Sequence, residues 1–368
     1  MNTVPELAEQ WTAWDDEDPL LRQLRLTVRQ ALAEADGSPE RAWRALSELG
    51  VGDFGLPVAA GGLELGQTVL AMVCEEVGRS AQPVPLMGTF VALSLLSSSG
   101  SRPDLLERVR DGGLPVAVPG RLPGLSRASR FGGGLVWTPN GSGRTVRGTA
   151  GPFSVVVEPG ALLVIAAGAD GPCAGVVPLP DPTVALRLLA DHGGGPTALA
   201  VLDGTPLPDD SVLFAGEAAE RELTALGVRT AVYQAALLTG LTTATLRAVV
   251  DRVRSRRQFG TSVSRHQAPR LRVAGLLARL DAMRWSIVDA ARCLDRGTLG
   301  GAEAAGLLAL TAETALDVSR DAVHLHGAAG LARETTVASC YRRVAWEALR
   351  CGRPALLWEA AAGPELLL

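Results

Sequence analysis

Arg256-Arg257-Gln258-Phe259-Gly260, followed shortly by His266-Gln267, is the stretch of this chain that decides the fold. It separates two long segments whose apolar residues recur at helical spacing, and two further segments of this kind follow. The four segments predicted to be helical are 217–255, 266–296, 301–326 and 336–349. Helices of this length joined by short loops are predicted to pack as an antiparallel four-helix bundle.

The chain before residue 114 is also predicted to be helical. One amphipathic segment covers 19–35, and Ser38-Pro39-Glu40 has the N-cap serine, first-turn proline and acid of a helix start. Further helices are predicted over 68–79 and 83–98, after a loop at 56–62.

Between residues 114 and 216, glycine and proline recur between short apolar runs such as Leu135-Val136-Trp137 and Ser154-Val155-Val156-Val157. This pattern predicts a small antiparallel β domain with hairpin turns at Asn140-Gly141 and 169–171. The predicted fold class is therefore mainly α with a central β domain. The predicted domains are 1–113 (N-terminal helical domain), 114–216 (middle β domain) and 217–368 (C-terminal four-helix bundle).

Composition narrows the class of protein. A chain of 368 residues with 47% hydrophobic residues can bury a large core, and a net charge of −4 gives no reason to expect a nucleic-acid partner. Five scattered cysteines without a CxxC pair are typical of reduced thiols rather than a disulfide framework or a metal site. The acidic N-terminus is unlike a signal peptide, and no apolar run reaches membrane-spanning length. These features predict a soluble, cytoplasmic protein that makes no contact with membranes.

The opening motif resembles a landmark of the acyl-CoA dehydrogenase family, and His326-Gly327-Ala328-Ala329-Gly330 with Tyr341-Arg342 resembles the family's second landmark. Similar stretches at 50–66, 75–79 and 202–208 occur in the family's order. The resemblance implies the acyl-CoA dehydrogenase fold, in which helices, a β domain and a four-helix bundle follow one another.

The resemblance also implies FAD bound between two chains, with each chain supplying a different half of the site. In the half offered to a neighbouring chain, Arg256 would meet the pyrophosphate, Phe259 would pack against the cofactor and Gln267 would make a polar contact. The turn from His324 through Gly327 and Ala328 to Gly330 would let backbone approach the cofactor. Here His324 replaces the usual glutamine, and Ala328 replaces a glycine.

The half that would seat the flavin ring in the chain's own β domain departs further from the family. A Thr-Glu pair and a Gly-Ser-Asp turn are expected, and the matching stretch 117–124 has neither. Ser154 is the best match for a hydroxyl that contacts the ring, although the expected aromatic residue is displaced. Arg353 stands where the family has a threonine.

The catalytic base of the family is a glutamate directly before a glycine, and here Cys351 precedes Gly352. An ordinary thiol, with a pKa of about 8.5, is mostly protonated at pH 7. Some family members carry the glutamate on the first bundle helix, but the matching place near Thr230 and Ala231 holds no carboxylate. Glu347 and Glu359 are close in sequence, but we expect neither to reach a substrate without rearrangement. No catalytic residue is therefore predicted, and the loss of a positioned base costs about 10²–10⁴ in rate.

Three functions follow as hypotheses. The first is an incomplete subunit that pairs with an intact acyl-CoA dehydrogenase-like chain in a dimer or tetramer and completes the partner's FAD site. Within the family, such heteromers carry out alpha,beta-dehydrogenation of bulky acyl-CoA thioesters, including steroid side-chain intermediates. The second is a stand-alone flavoenzyme whose chemistry on an acyl-CoA or carrier-bound substrate is rebuilt from Cys351, Ser154 or Arg353. The third is a cofactor-free scaffold. No metal is predicted, because His324 and His326 do not share a helix face.

Overall fold

The computed structural model describes residues 14, 18–119, 134–141, 143–189, 195–332 and 334–362. Five helices come first: α1 (Pro19–Glu34), α2 (Pro39–Glu48), α3 (Gln67–Ser80), α4 (Leu86–Ser99) and α5 (Pro103–Arg110). Ser38 caps α2 by accepting a hydrogen bond from the Arg41 amide, as its sequence predicts. Helix α5 was not predicted from the sequence, because it has only eight residues and buries only Leu105 and Val109.

The β domain contains two four-stranded sheets. Its strands are β1 (Val116–Ala117), β2 (Leu135–Asn140), β3 (Gly143–Ser154), β4 (Ala161–Ala166), β5 (Cys173–Pro178), β6 (Val184–Leu189), β7 (Thr197–Leu207) and β8 (Val212–Ala215). The strand orders are β1-β4-β5-β8 and β2-β3-β7-β6, and every pairing is antiparallel except the parallel pairing of β1 with β4. In the second sheet β6 lies at the edge and is hydrogen-bonded on one side only within the described residues.

Both predicted hairpin turns connect antiparallel strands, with Asn140-Gly141 between β2 and β3 and 169–171 between β4 and β5. The prediction of a strand through Val155–Val157 is wrong. β3 ends at Ser154 after an irregularity at Gly151-Pro152, and the Val156 amide turns back toward the Ser154 hydroxyl at 3.5 Å.

The C-terminal region consists of α6 (Gly216–Ser255), α7 (Gln267–Asp295), α8 (Gly301–His326), α9 (Thr336–Arg350) and α10 (Pro354–Ala362). The first four match the predicted bundle segments to within a residue or two. Helix α10, which packs against α8, was not predicted from the sequence. A short hairpin, β9 (Arg257–Gln258) and β10 (Thr261–Ser262), joins α6 to α7. The predicted fold class is confirmed, and the domain boundaries stay predictions.

The crossing of α3 and α6 ties the N-terminal helices to the bundle. Two glycines make this close approach possible, because a Cβ on Gly78 would lie 2.1 Å from the Leu237 carbonyl oxygen. A Cβ on Gly240 would lie 2.0 Å from the Glu75 carbonyl oxygen. The crossing fixes the position of α6, which lines one of the spaces described below and contacts a residue that lines the other. Within the described residues, no helix has both the length and the apolar content that crossing a membrane requires.

Candidate cofactor site

The motif formed by residues 256–260 and 266–267 makes an exposed corner at the end of α6. Arg256 ends the helix in an extended conformation, and its carbonyl accepts a hydrogen bond from the Val263 amide at 2.9 Å. Phe259, at the tip of the β9–β10 hairpin, has a φ of +51° and a side chain 94% exposed. Such a conformation is uncommon for an aromatic residue. The hairpin therefore presents the ring to solvent instead of burying it.

The start of α7 lies directly beside this corner. His266 is the N-cap residue and Gln267 is the first residue of the helix; the His266 ring packs edge-on against Phe259 at 6.1 Å between centroids. The first turn of α7 holds no acidic residue, and no side chain caps it. Unpaired amides at a helix start attract anions. Arg256, which forms no ion pair with any described residue, adds positive charge next to them.

The third part of the corner is the end of α8. Gly327, with a φ of +64°, ends this helix, and His324, Gly327 and Ala328 are all exposed. Burial, opposed by a hydrogen bond to the Ala322 carbonyl, lowers the pKa of His326. Val253 of α6, Val273 of α7 and Ala322 of α8 share one apolar cluster, which brings the three helix ends together.

We call Arg256, Phe259, Gln267, His324, Gly327 and Ala328 the donor surface. All six are exposed and lie at one end of the bundle. Ser154, the remaining predicted cofactor contact, lies elsewhere.

Ser154 lines a narrow cleft between the β domain, α4 and α9. Phe153 and Val118 line the β-domain side, and Arg343, Trp346 and Glu347 line the α9 side. The free volume is about 20 Å³, which is room for about one water molecule. The described residues therefore leave no space for a flavin ring in this cleft. The predicted eroded stretch at 120–124 lies outside the described residues.

A buried charge cluster fills the α9 side of the narrow cleft. The Glu347 carboxylate lies 3.8 Å from Arg343 Nε and 3.4 Å from Arg350 Nη1. Gln234 Nε2 donates to the same carboxylate at 3.0 Å and to the Glu347 carbonyl at 2.8 Å. Burial opposes ionisation of Glu347, but Arg350, Arg343 and Gln234 outweigh it and lower the pKa of this carboxyl.

Cys351 is buried and follows Glu347 by one helical turn. Burial raises the pKa of its thiol to about 12, so the sulfur stays protonated and un-nucleophilic at neutral pH. Arg353 is exposed. Neither Cys351 nor Glu347 has the pKa near neutrality that a general base needs.

The place of Glu347 in the cleft was not predicted from the sequence. Arg343 and Trp346 were equally unpredicted, since nothing in the sequence indicates which α9 side chains meet the β domain.

Two family models match this chain. Residues 228–356 match the acyl-CoA dehydrogenase C-terminal domain, and residues 21–102 match the acyl-CoA dehydrogenase N-terminal domain. The chain belongs to the acyl-CoA dehydrogenase family.

Among curated proteins, the chain is similar to acyl-[acyl-carrier-protein] dehydrogenase MbtN of Mycobacterium bovis, with 36% identity over 112 residues. The match covers 30% of this chain and 28% of the length of that relative.

Among solved structures, the Tcur3481-Tcur3483 steroid ACAD has a TM-score of 0.81 at 24% identity, covering 95% of this chain and 97% of that one. The ChsE4-ChsE5 complex from Mycobacterium tuberculosis has a TM-score of 0.80 at 22% identity, and the match covers 95% of this chain and 98% of that one. At these identities both show the fold alone. Other solved structures of this fold contain FAD or FADH2, so FAD is a cofactor of the family.

The two predicted halves of an FAD site differ in their fit to the cofactor. The donor surface fits it, because an unpaired arginine, an uncapped helix start and an exposed aromatic suit a pyrophosphate and a ring. His266 Nε2, buried there without a hydrogen-bond partner, could bond to a further polar group. The narrow cleft, as far as the described residues form it, has a free volume of about 20 Å³, which is too small for a flavin ring.

Proposed function

We propose that this chain is a catalytically incomplete subunit of a heteromeric acyl-CoA dehydrogenase. It would pair with an intact chain of the same family and lend its donor surface to the partner's FAD site. The observation that carries this proposal is the contrast between an exposed donor surface and a filled narrow cleft with no available base. Random substitutions would be expected to alter both halves of the site and not one half alone.

In this complex Arg256 and the α7 amides would hold the pyrophosphate, and Phe259 would cover apolar cofactor surface. When bound, FAD accepts a hydride from the substrate. A glutamate of the partner chain would remove the alpha proton of the acyl thioester. This chain would therefore orient the cofactor and exclude water without moving a proton itself.

The proposed substrate class is a bulky acyl thioester. Two observations support it: the fold is shared with a steroid ACAD and with the ChsE4-ChsE5 complex, and a local stretch is similar to an acyl-carrier-protein dehydrogenase. The carrier is therefore CoA or a carrier protein, and purified thioesters of both kinds would separate the two.

Absorbance between 350 and 500 nm tests the proposal directly. The chain would be purified alone and after co-expression with an intact acyl-CoA dehydrogenase-like chain, sought first in the neighbouring genes. We expect a colourless lone chain and a yellow, active complex. Arg256→Ala should strip flavin from the complex, whereas Arg254→Ala, at an exposed neighbour of the motif, should leave it in place.

Flavin bands from the lone chain would overturn the proposal and favour the stand-alone flavoenzyme. A complex that forms but stays colourless would favour the hypothesis of a cofactor-free scaffold.

A further inference from the structure

A second space, which we call the side cavity, lies between the N-terminal helices and α6. Its volume is about 440 Å³, and none of its lining residues lines the narrow cleft. Leu226, Arg229 and Tyr233 of α6 face it, whereas Gln234 contacts the Glu347 cluster of the cleft. One face of α6 therefore lines the side cavity, and another face contacts a residue that lines the narrow cleft. A volume of about 300–1,000 Å³ is typical of small-molecule sites.

The wall is apolar and polar in about equal parts. Leu70 and Leu93 line it, and the rings of Phe90 and Tyr233 pack edge to face with centroids 5.9 Å apart. Ser94 and Ser97, about one turn apart on α4, bring hydroxyls to the same wall. An apolar patch beside placed polar groups favours a ligand that has an apolar body and a polar end.

Arg229 is the cation of the side cavity. Its Nη1 donates to the Ser94 hydroxyl at 2.8 Å, and its Nε donates to the Ala225 carbonyl at 3.4 Å. These two contacts leave further guanidinium donors, and no carboxylate of the described residues forms an ion pair with Arg229. A half-buried guanidinium without a counter-charge is suited to a carboxylate, which it can bind through two parallel hydrogen bonds.

The acidic residues of the side cavity do not compete for this arginine. Asp295 accepts hydrogen bonds from the Gln67 and Thr68 amides and from the Thr68 hydroxyl, so its carboxylate is already used at the start of α3. Glu64 is exposed to solvent. Asp295 and Glu64 keep their negative charges, so a ligand carboxylate is favoured only at the Arg229 end of the cavity.

We propose that the side cavity binds a small carboxylate with an apolar body. Arg229 holds the carboxylate, Ser94 and Ser97 lie beside it, and the leucine and aromatic side chains cover the apolar body. This site needs neither flavin nor a partner chain, so it is independent of the function proposed above.

Calorimetric titration of the full-length lone chain with octanoate tests the site, with 1-octanol as the neutral probe of matched length. We expect octanoate to bind, 1-octanol to bind at least about tenfold more weakly, and Arg229→Gln to weaken octanoate by about tenfold or more. Arg221→Gln is the matched control, because Arg221 lies on the same helix, is 73% exposed and makes only a 3.8 Å contact with Glu217. It should leave octanoate binding unchanged.

A cavity-filling variant, Ser97→Phe, keeps the test decisive if Arg229→Gln fails to fold. It should abolish octanoate binding and leave the circular dichroism spectrum unchanged. Three results would each overturn the proposal: no octanoate binding at millimolar concentration, equal binding of octanoate and 1-octanol, or octanoate binding that survives Ser97→Phe. None of these results bears on the flavin content of the complex.

Discussion

At the scale of single residues, burial decides the chemistry of Cys351. Its pKa of about 12 means that the thiol carries almost no thiolate at pH 8, and its side chain is covered. Cys74, Cys173 and Cys340 are also buried, and burial raises the pKa of each. Only Cys293 is partly accessible.

We therefore expect iodoacetamide at pH 8 to modify one thiol per native chain and five per unfolded chain, as counted by intact mass. Cys293→Ser should remove the fast native reaction. Rapid modification of Cys351 in the native chain would instead indicate an accessible, activated thiol. It would favour the hypothesis of a stand-alone flavoenzyme.

Glu347 is the residue whose replacement should damage stability most clearly. Glu347→Gln leaves Arg343 buried without its counter-charge, which costs about 3–5 kcal/mol in the free energy of unfolding at pH 7. Urea denaturation measures this difference. Asp317→Asn removes an exposed i, i+3 ion pair with Arg320 and should cost no more than about 0.5 kcal/mol.

The effect of Glu347→Gln should depend on pH in a defined direction. The pKa of Glu347 is lowered on folding from an ordinary value of 4.5, so its contribution is present above that pH. The contribution is lost as the pH falls through the folded-state pKa. The gap between the wild type and Glu347→Gln should therefore narrow at acidic pH, and a gap independent of pH would contradict the ionised assignment.

Proximity within the donor surface is easier to predict from the sequence than proximity within the cleft. Arg256 and Phe259 belong to one contiguous motif, so neighbours in the chain are neighbours in space. Ser154 and Glu347 line the same cleft although nearly 200 residues separate them in the chain. No local sequence pattern indicates such a long-range contact. The assignment of donor-surface residues to cofactor contacts stays a prediction.

At the scale of elements, the start of α3 depends on another helix. Gly66 provides no side-chain cap, and Asp295 at the end of α7 accepts from the first amides of α3 instead. Asp295→Ala should cost about 1–2 kcal/mol in the free energy of unfolding, because it removes both a cap and a negative charge from a helix start.

Thermal and urea denaturation check this value. Asp289→Ala, at an exposed acid on the same helix, should have little effect. The free energy of unfolding of Asp295→Asn should lie between those of the two alanine variants, since asparagine keeps a hydrogen-bond acceptor but loses the charge. An Asp295→Ala variant as stable as Asp289→Ala would show that water replaces the cap.

Element prediction succeeded where sequence signals were long or paired with a turn. The four bundle segments each carry several turns of apolar periodicity, and Ser38-Pro39 marks a helix start directly. It failed for α5 and α10, each less than three turns long, and for Val155–Val157, where an irregularity ends β3 early. Tertiary contacts decide such short stretches, and a single sequence does not show them.

At the scale of the whole molecule, the bundle exposes large apolar side chains outside the donor surface. Leu310 of α8 is 48% exposed and Trp358 of α10 is 40% exposed. We expect this face to be covered in the dimer or tetramer. The double variant Leu310→Glu/Trp358→Glu should shift the assembly toward single chains, because a buried unpaired carboxylate is costly at an interface.

Light scattering coupled to size exclusion measures the mass of the assembly. Leu26→Glu, at a 42% exposed position of α1, serves as the control and should leave the mass unchanged. An unaltered mass for the double variant would place the interface elsewhere.

The edge strand β6 has a consequence for how the cell must make this protein. Its outer side is free of strand partners within the described residues, and Leu186, Leu188 and Leu189 are exposed along it. A strand of this kind can recruit a strand from another molecule. Copies of this chain would then aggregate through β6 while still folded. A more stable fold would not remove this route, whereas a low concentration of the free chain or a covered edge would.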